Sequence, residues 1–363
     1  MGGRWRKEEY MQPHLDGRPQ SDSTPSRSGA WRGRRALTGV LGLLTLAALH
    51  AGAQPPEPVT LVLHWQHQAQ FAGYYMALAK GAYQRQGLEV QVRRGGADVD
   101  GGKMLRAGTA DFASFMLSSA LEERAKDLPL VHLAQVVNRS NFLLVAWRDP
   151  ATGGPIREPA DLDGRRVTVW PGSLRTPYLA LFGTHSVHPL ILPQFASFSL
   201  FLNRGADAFA GMRYNEYHTL LQSGILESQV RVFALRDYGV NLPEDGLYCL
   251  ADTWQRRAPT CRAFTLASLE GWRYARDHEE ETLDVVMDYV NRDNQPTNRA
   301  HMRWMLKVMV AAVFPGTGDD WAMGQLSRPA YSQTVEMLTQ YANLRAAPRY
   351  EDLVVNEVAH ESR

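Results

Sequence analysis

The sequence predicts an α/β protein of one large or two smaller lobes, and three observations predict it. Past residue 58, short apolar runs of strand type alternate with helix-type segments, the pattern of parallel sheets covered by helices. About 310 residues follow an N-terminal leader, more than one core usually holds. A Gly/Pro-rich break from Asp149-Pro150 to Pro159 divides the alternation into two series.

Residues 1–53 read as a secretory signal peptide with a long basic lead. Arg32, Arg34 and Arg35 cluster ahead of an uncharged Leu/Ala-rich run, Ala36 to Ala48, and Ala51-Gly52-Ala53 supplies an A-x-A cleavage site. The run is shorter than the roughly 20 residues a bilayer core needs, which favours cleavage over anchoring. No cysteine follows the cleavage site, so no lipid anchor is expected, and Arg34-Arg35 leaves Sec and twin-arginine export both open. The leader carries 8 Lys/Arg and 4 Asp/Glu, leaving 31 basic and 34 acidic residues and a mature charge of −3. Nothing in that balance suggests a nucleic-acid surface. An extracytoplasmic protein is expected, periplasmic in a bacterium.

In the first series, Val59–Leu63 reads as strand, 71–86 as helix and Leu88–Val92 as strand. Residues 101–107 form a short helix, and Asp111–Ser114 is a strand. Ser119 opens a helix with Glu122 three residues on, the spacing of a capping box. Leu130–Val137 and Phe142–Trp147 are apolar strands. After the break, Val167–Trp170, Ala206–Met212 and Val230–Ala234 read as strands, with helices over 177–182 and 216–221. The last third is helical. Phe264, Ala267, Ser268, Gly271, Trp272 and Ala275 follow helical spacing and predict one buried face. Helices are also expected over 282–290, 300–312 and 329–341.

The turn from His64 to Tyr75 is the strongest functional signal. It places aromatic rings (Trp65, Tyr74, Tyr75) and amides (Gln66, Gln68, Gln70) between a strand and a helix. In α/β proteins ligands bind at the carboxyl ends of strands, where helix N-termini offer free N–H donors. Trp65 at the strand end is a stacking candidate, whereas Tyr75, one turn into an amphipathic helix, reads as core. Three other strand-to-helix turns offer polar groups. Pro171 to Pro177 carries Ser173 and Arg175, with Thr176 as N-cap. Ser118 precedes the Ser119 cap. Tyr214-Asn215-Glu216 follows a strand, and the helix dipole alone favours Glu216 there.

Cys249 and Cys261 are the only cysteines. In an oxidising compartment a disulfide between a strand end and a helix start is expected, the alternative being two buried thiols. His64-x-x-His67 and His185-x-x-His188 lack companion ligands, so no metal is implied. No cofactor is implied either.

Several segments together resemble the periplasmic solute-binding proteins of ABC importers for thiamine-pyrimidine precursors, sulfonates, taurine and nitrate. They are Trp65 to Gly87, Gly108 to Phe112, Pro159 to Val167, Ala206-Asp207-Ala208, Tyr214-Asn215-Glu216, Asp237 to Val240 and Gly271 to Ala275. The thiamine-precursor branch is the most similar, although Gln66 to Gln70 departs from its Asn/Pro-containing turn. The resemblance implies a type II periplasmic-binding-protein fold, two α/β lobes joined by crossing strands with a ligand cleft between them. Lobe 1 would be 59–146 plus 247–363 and lobe 2 147–246. A small nitrogen-bearing heterocycle is implied as the ligand, bound by Trp65, Gln70, Tyr74, Ser118, Ser173, Arg175, Tyr214, Glu216 and Tyr238. Glu216 would pair with an exocyclic amine, and Tyr238 would face the cleft or brace the hinge. The expected partners are an ABC permease and ATPase, with the receptor itself monomeric.

A eukaryotic branch of the same family makes the thiamine pyrimidine, using a pyridoxal-phosphate lysine and a sacrificial histidine just after the aspartate matching Asp111. Here Phe115 and Ser119 occupy those positions, and Cys249 stands without the branch's cysteine cluster. No nucleophile elbow, P-loop or dinucleotide fingerprint is present either. The chain therefore reads as a receptor and not an enzyme. A sensing module acting on a separate membrane kinase or cyclase is the alternative class.

Overall fold

The computed structural model describes residues 55–151, 153–316 and 323–355. The leader and its cleavage site lie outside the described residues. Two five-stranded mixed sheets form two α/β lobes. The first holds β1 (Glu57–Val62), β2 (Leu88–Arg93), β3 (Phe112–Met116) and β4 (Leu130–Gln135), with α1 (Ala72–Ala79), α2 (Ala82–Arg85), α3 (Gly101–Arg106) and α4 (Leu117–Ala125) between them. The second holds β5 (Phe142–Trp147), β6 (Arg166–Val169), β7 (Leu190–Pro193), β8 (Ala208–Met212) and β9 (Val230–Ala234), with α5 (Thr176–Thr184), α6 (Ser199–Leu202) and α7 (Glu216–Gln222). The chain then returns through β10 (Asp245–Leu250) and ends in α8 (Ala251–Asp277), α9 (Glu279–Arg292), α10 (Arg299–Val313), α11 (Arg328–Tyr341) and α12 (Tyr350–Leu353).

Strand order is β2-β1-β3-β10-β4 in the first sheet and β7-β6-β8-β5-β9 in the second. Each sheet thus takes one antiparallel strand from the chain that has just crossed over: β10 in the first, β5 in the second. Two segments make the crossings, 136–141 outward and 235–244 back. They are stitched together: Glu244 N–H donates to Val137 O at 2.9 Å, and the Gln135 side-chain amide donates to Val137, Glu244 and Asp245 carbonyls at 3.0–3.1 Å.

The core of the first lobe is aromatic. Phe112 and Phe264 stack at 3.9 Å, Tyr83 stacks on Phe264, and Trp272 is fully buried against the first turn of α1. The helical spacing read from Phe264 to Ala275 is the face of α8 that covers the sheet, and burying each large side chain there stabilises the lobe by roughly 1.5–3 kcal/mol. Pro259 leaves α8 kinked at Arg257, whose backbone is non-helical and whose guanidinium bridges Glu57 and Asp111. In the second lobe Trp147 stacks on Phe201 at 4.4 Å and donates its indole N–H to Phe201 O.

Several local expectations are corrected. The helix expected over 71–86 breaks into α1 and α2 because Gly81 adopts φ +68°, which helical propagation does not allow. Helix α4 starts at Leu117, two residues before Ser119, and no side chain caps it; Ser119 turns its hydroxyl to the other lobe instead. Thr176 is already inside α5, so Arg175 occupies the cap position without a capping bond. Cys249 and Cys261 come together as expected and stand as buried thiols with sulfurs 4.0 Å apart, against ~2.05 Å for a covalent bond.

Candidate functional site

Strand register decides where the site lies. In the first sheet Asp245, the first residue after the return crossing, pairs with Met116, the last residue of β3. In the second sheet Phe142, the first residue after the outward crossing, pairs with Met212, the last of β8. Because β1 runs parallel to β3, and β6 to β8, four strand ends open toward the crossing segments. They carry Leu63–Trp65, Met116–Ser118, Trp170–Ser173 and Met212–Glu216. These are the four turns singled out in the sequence, and the topology brings all four to the ends of the two sheets that meet the crossing segments.

On the first-lobe wall Trp65 keeps 40% of its surface exposed, unusual for a large apolar ring. Beside it His64 accepts a place in a polar cluster: its Nδ1 lies 2.8 Å from Ser114 Oγ, and its Nε2 3.1 Å from Gln70 Nε2 and 3.4 Å from Asp245 Oδ1. Burial pushes the imidazole down to about 4 and the Asp245 carboxyl up to about 7. Burial thus favours the neutral form of both partners over a charged pair. Gln70 is buried and its amide is committed to Asp245. Tyr74 is buried beneath the turn, edge-on to Trp272, and presents no surface to a ligand. Ser118 is buried at the start of α4.

On the second-lobe wall Glu216 is half-buried at the N-terminus of α7. Its Oε2 accepts the Met212 N–H at 2.8 Å and its Oε1 the Asn215 side-chain amide at 2.8 Å. Burial raises its pKa, and those two donors oppose the rise. Tyr214 is buried, and burial followed by the nearby Glu244, Asp245 and Glu216 carboxyls keeps its phenol protonated as a donor. Glu244, on the return crossing, accepts the Asn141 N–H and side-chain amide, and burial raises it to about 8.

Ser173 does reach the interface between lobes: its Oγ lies 2.9 Å from Ser119 Oγ. Arg175 is exposed and lines a surface groove with Glu122, Lys126 and Tyr341. Tyr238 lies on the return crossing. It packs edge-on to His185 and Phe233 beside α5, because the turn 235–238 folds back onto the second sheet. The structure adds His64, Ser114, Glu244 and Asp245, which the sequence reading did not select. Only the adjacent acids after Pro243, leading into an apolar run, could have marked the last two.

The model of the NMT1/THI5-like family matches residues 68–282. The formylaminopyrimidine-binding protein of Halalkalibacterium halodurans is 27% identical over 252 residues, which span 66% of this chain and 73% of that protein. Among solved structures, the periplasmic aliphatic sulphonate binding protein SsuA of Escherichia coli aligns with a TM-score of 0.63 at 15% identity, covering 83% of this chain and 92% of its own. The ligand-binding component of an ABC-type import system from Staphylococcus aureus aligns with a TM-score of 0.61 at 12% identity, over 85% and 99% of the two chains. These likenesses establish the periplasmic-binding-protein fold, and among the described residues no helix is long and apolar enough to cross a membrane. With more than half its length inside the family match, the chain belongs to the NMT1/THI5-like family.

Proposed function

We propose that this protein is an extracytoplasmic receptor that takes a small nitrogen-bearing heterocycle, of the thiamine-pyrimidine type, between its lobes and delivers it to an ABC permease and ATPase. One observation carries the reading. A half-buried carboxylate, Glu216, is held by two N–H donors at one strand end of the cleft, while an exposed indole, Trp65, stands at another. A carboxylate fixed in this way suits an exocyclic amine, and an indole suits the face of a flat ring. The formylaminopyrimidine named for the Halalkalibacterium relative is a flat ring that carries an exocyclic nitrogen. Ser118 and Tyr214 supply further polar groups, and Ser119 and Ser173 lie where the lobes meet. The receptor acts as a monomer outside the cytoplasm and carries out no chemical step.

The test is a thermal-shift screen that includes formylaminopyrimidine, followed by calorimetry. Binding stabilises the native state by about 2.7 kcal/mol at a ligand concentration one hundred times Kd. Trp65→Ala and Glu216→Gln should each weaken binding more than about tenfold with the unliganded melting point retained. Unchanged affinity in both places the pocket elsewhere.

A further inference from the structure

Glu216 is the end of a hydrogen-bonded chain that begins on a helix following the first lobe. Helix α10 packs on α8 and α9 and also reaches α7 of the second lobe. There His301 Nε2 lies 3.0 Å from Asn215 Oδ1, and His301 Nδ1 lies 2.8 Å from His218 Nδ1. Asn215 in turn donates its amide to Glu216 Oε1. Since Asn215 uses its nitrogen on the carboxylate, its oxygen must accept, so His301 carries its proton on Nε2. The lone pair left on His301 Nδ1 then accepts from His218 Nδ1–H. Every donor along the chain His218, His301, Asn215 points toward Glu216.

From this geometry we propose that His301 is a positioning residue for the ligand carboxylate. It orients Asn215 across the lobe boundary, so that the contact between α10 and α7 sets the strength of Glu216 as an acceptor. Donors aligned head to tail polarise one another. The chain is also mechanically anchored. His218 stacks on Trp304 at 4.8 Å, and Trp304 donates its indole N–H to Arg213 O at 2.9 Å. The titratable groups around Glu216 are Tyr178 and Tyr214, both kept neutral by burial; the Met212 N–H also holds the carboxylate, and the relay acts on it through the Asn215 amide. The proposal rests on Glu216 being the ligand carboxylate, but the relay itself can be measured without ligand.

The first measurement is on the wild-type protein: nitrogen NMR of the imidazoles should show His301 protonated on Nε2 and His218 on Nδ1. A proton on His301 Nδ1 facing His218 overturns the relay. The second is the carboxyl titration of Glu216 in ligand-free protein, assigned by its loss in Glu216→Gln. In His301→Phe, which keeps the ring volume and removes the donor, the midpoint should rise by about half a pH unit or more. In His301→Gln, whose amide can still reach Asn215, it should return toward wild type. A midpoint unmoved in a folded His301→Phe overturns the proposal. Affinity for formylaminopyrimidine should fall about three- to tenfold in His301→Phe and recover in His301→Gln. Failure of the wild-type protein to bind that probe counts against the functional reading, while the ligand-free titration still decides the relay.

Discussion

Gln70 Nε2 donates to both carboxylate oxygens of Asp245, at 3.1 and 3.0 Å, and so fastens the turn after β1 to the strand that re-enters the first lobe. Asp245 is buried and faces His64 besides. One amide thus holds the cleft wall that carries Trp65 against the crossing segment on which any lobe movement must pivot.

Removing that amide leaves a buried carboxyl without its main donor. Gln70→Ala should destabilise the protein by about 1–3 kcal/mol, the usual consequence of an unsatisfied buried acceptor. Urea midpoints measure it. A change below about half a kcal/mol would mean that water replaces the amide and that Asp245 is less enclosed than its contacts indicate.

Asp245 also predicts a pH dependence with a definite sign. Burial raises its folded-state pKa to about 7, well above the usual carboxylate value. A raised acid contributes stability that is present below about pH 4 and is lost progressively as pH rises to the folded value. Asp245→Asn removes that loss, because an amide does not ionise and its oxygen can still accept from Gln70. The stability of Asp245→Asn relative to wild type should therefore climb between about pH 4 and pH 7, by an amount on the order of 4 kcal/mol at most, and flatten above it. Thermal melts across this range decide the matter, and a difference independent of pH would show that Asp245 ionises as freely as in water. His64 adds a separate acid limb. Its depressed pKa of about 4 means that stability falls as pH drops from about 6.5 toward 4.

These two residues also show what the sequence could and could not convey. The turn from His64 to Tyr75 was legible as a strand-to-helix turn because a strand end followed by rings and amides has a local signature. Asp245 was not, since two acids after a proline read as a loop. Its importance comes from pairing with Met116, a partner fixed only by topology. His301 and Asn215 are invisible for the same reason: α10 must pack on α7 before they meet. Edge strand β7 and helix α6 went unread because each is four residues long and largely exposed. The cysteine pair was half legible. A strand end and a following helix did bring Cys249 and Cys261 together, but spacing carries no information on whether the bond forms. Tyr238 packs on His185 and Phe233 beside the return crossing, which suits the bracing alternative, and spacing alone does not choose between bracing and facing the gap.

Close helix packing gives a third prediction. The backbone of α8 approaches α1 so closely that a Cβ on Gly271 would overlap the Gly73 carbonyl oxygen and sit 2.6 Å from the Ala77 nitrogen. Neither neighbour is a flexible side chain that can swing away. Gly271→Ala should destabilise the first lobe by about 1–3 kcal/mol or more through overpacking, although alanine is the better helix former by about 1 kcal/mol. A melting point at or above wild type would show that the two helices slide apart freely and that the approach is not fixed by the core beneath it.

The lobes touch through Ser119 Oγ and Ser173 Oγ, 2.9 Å apart, one from the first turn of α4 and the other from the turn after β6. Side chains in contact across a gap can be replaced by a reversible covalent lock, because bridged cysteines need a Cβ separation of only ~3.5–4.5 Å. The background should carry Cys249→Ala and Cys261→Ala, so that no native thiol competes. Ser119→Cys with Ser173→Cys should then form an intramolecular disulfide under mild oxidation. If a solute enters by parting these lobes, oxidation should slow both uptake and release of formylaminopyrimidine by more than about tenfold, and reductant should restore the rates. Equilibrium affinity should change less than either rate, because the lock blocks the path and leaves Trp65 and Glu216 in place. Rapid exchange from the locked protein would mean that the ligand does not pass between the Ser119 and Ser173 edges, and that the cleft opens elsewhere along the crossing segments.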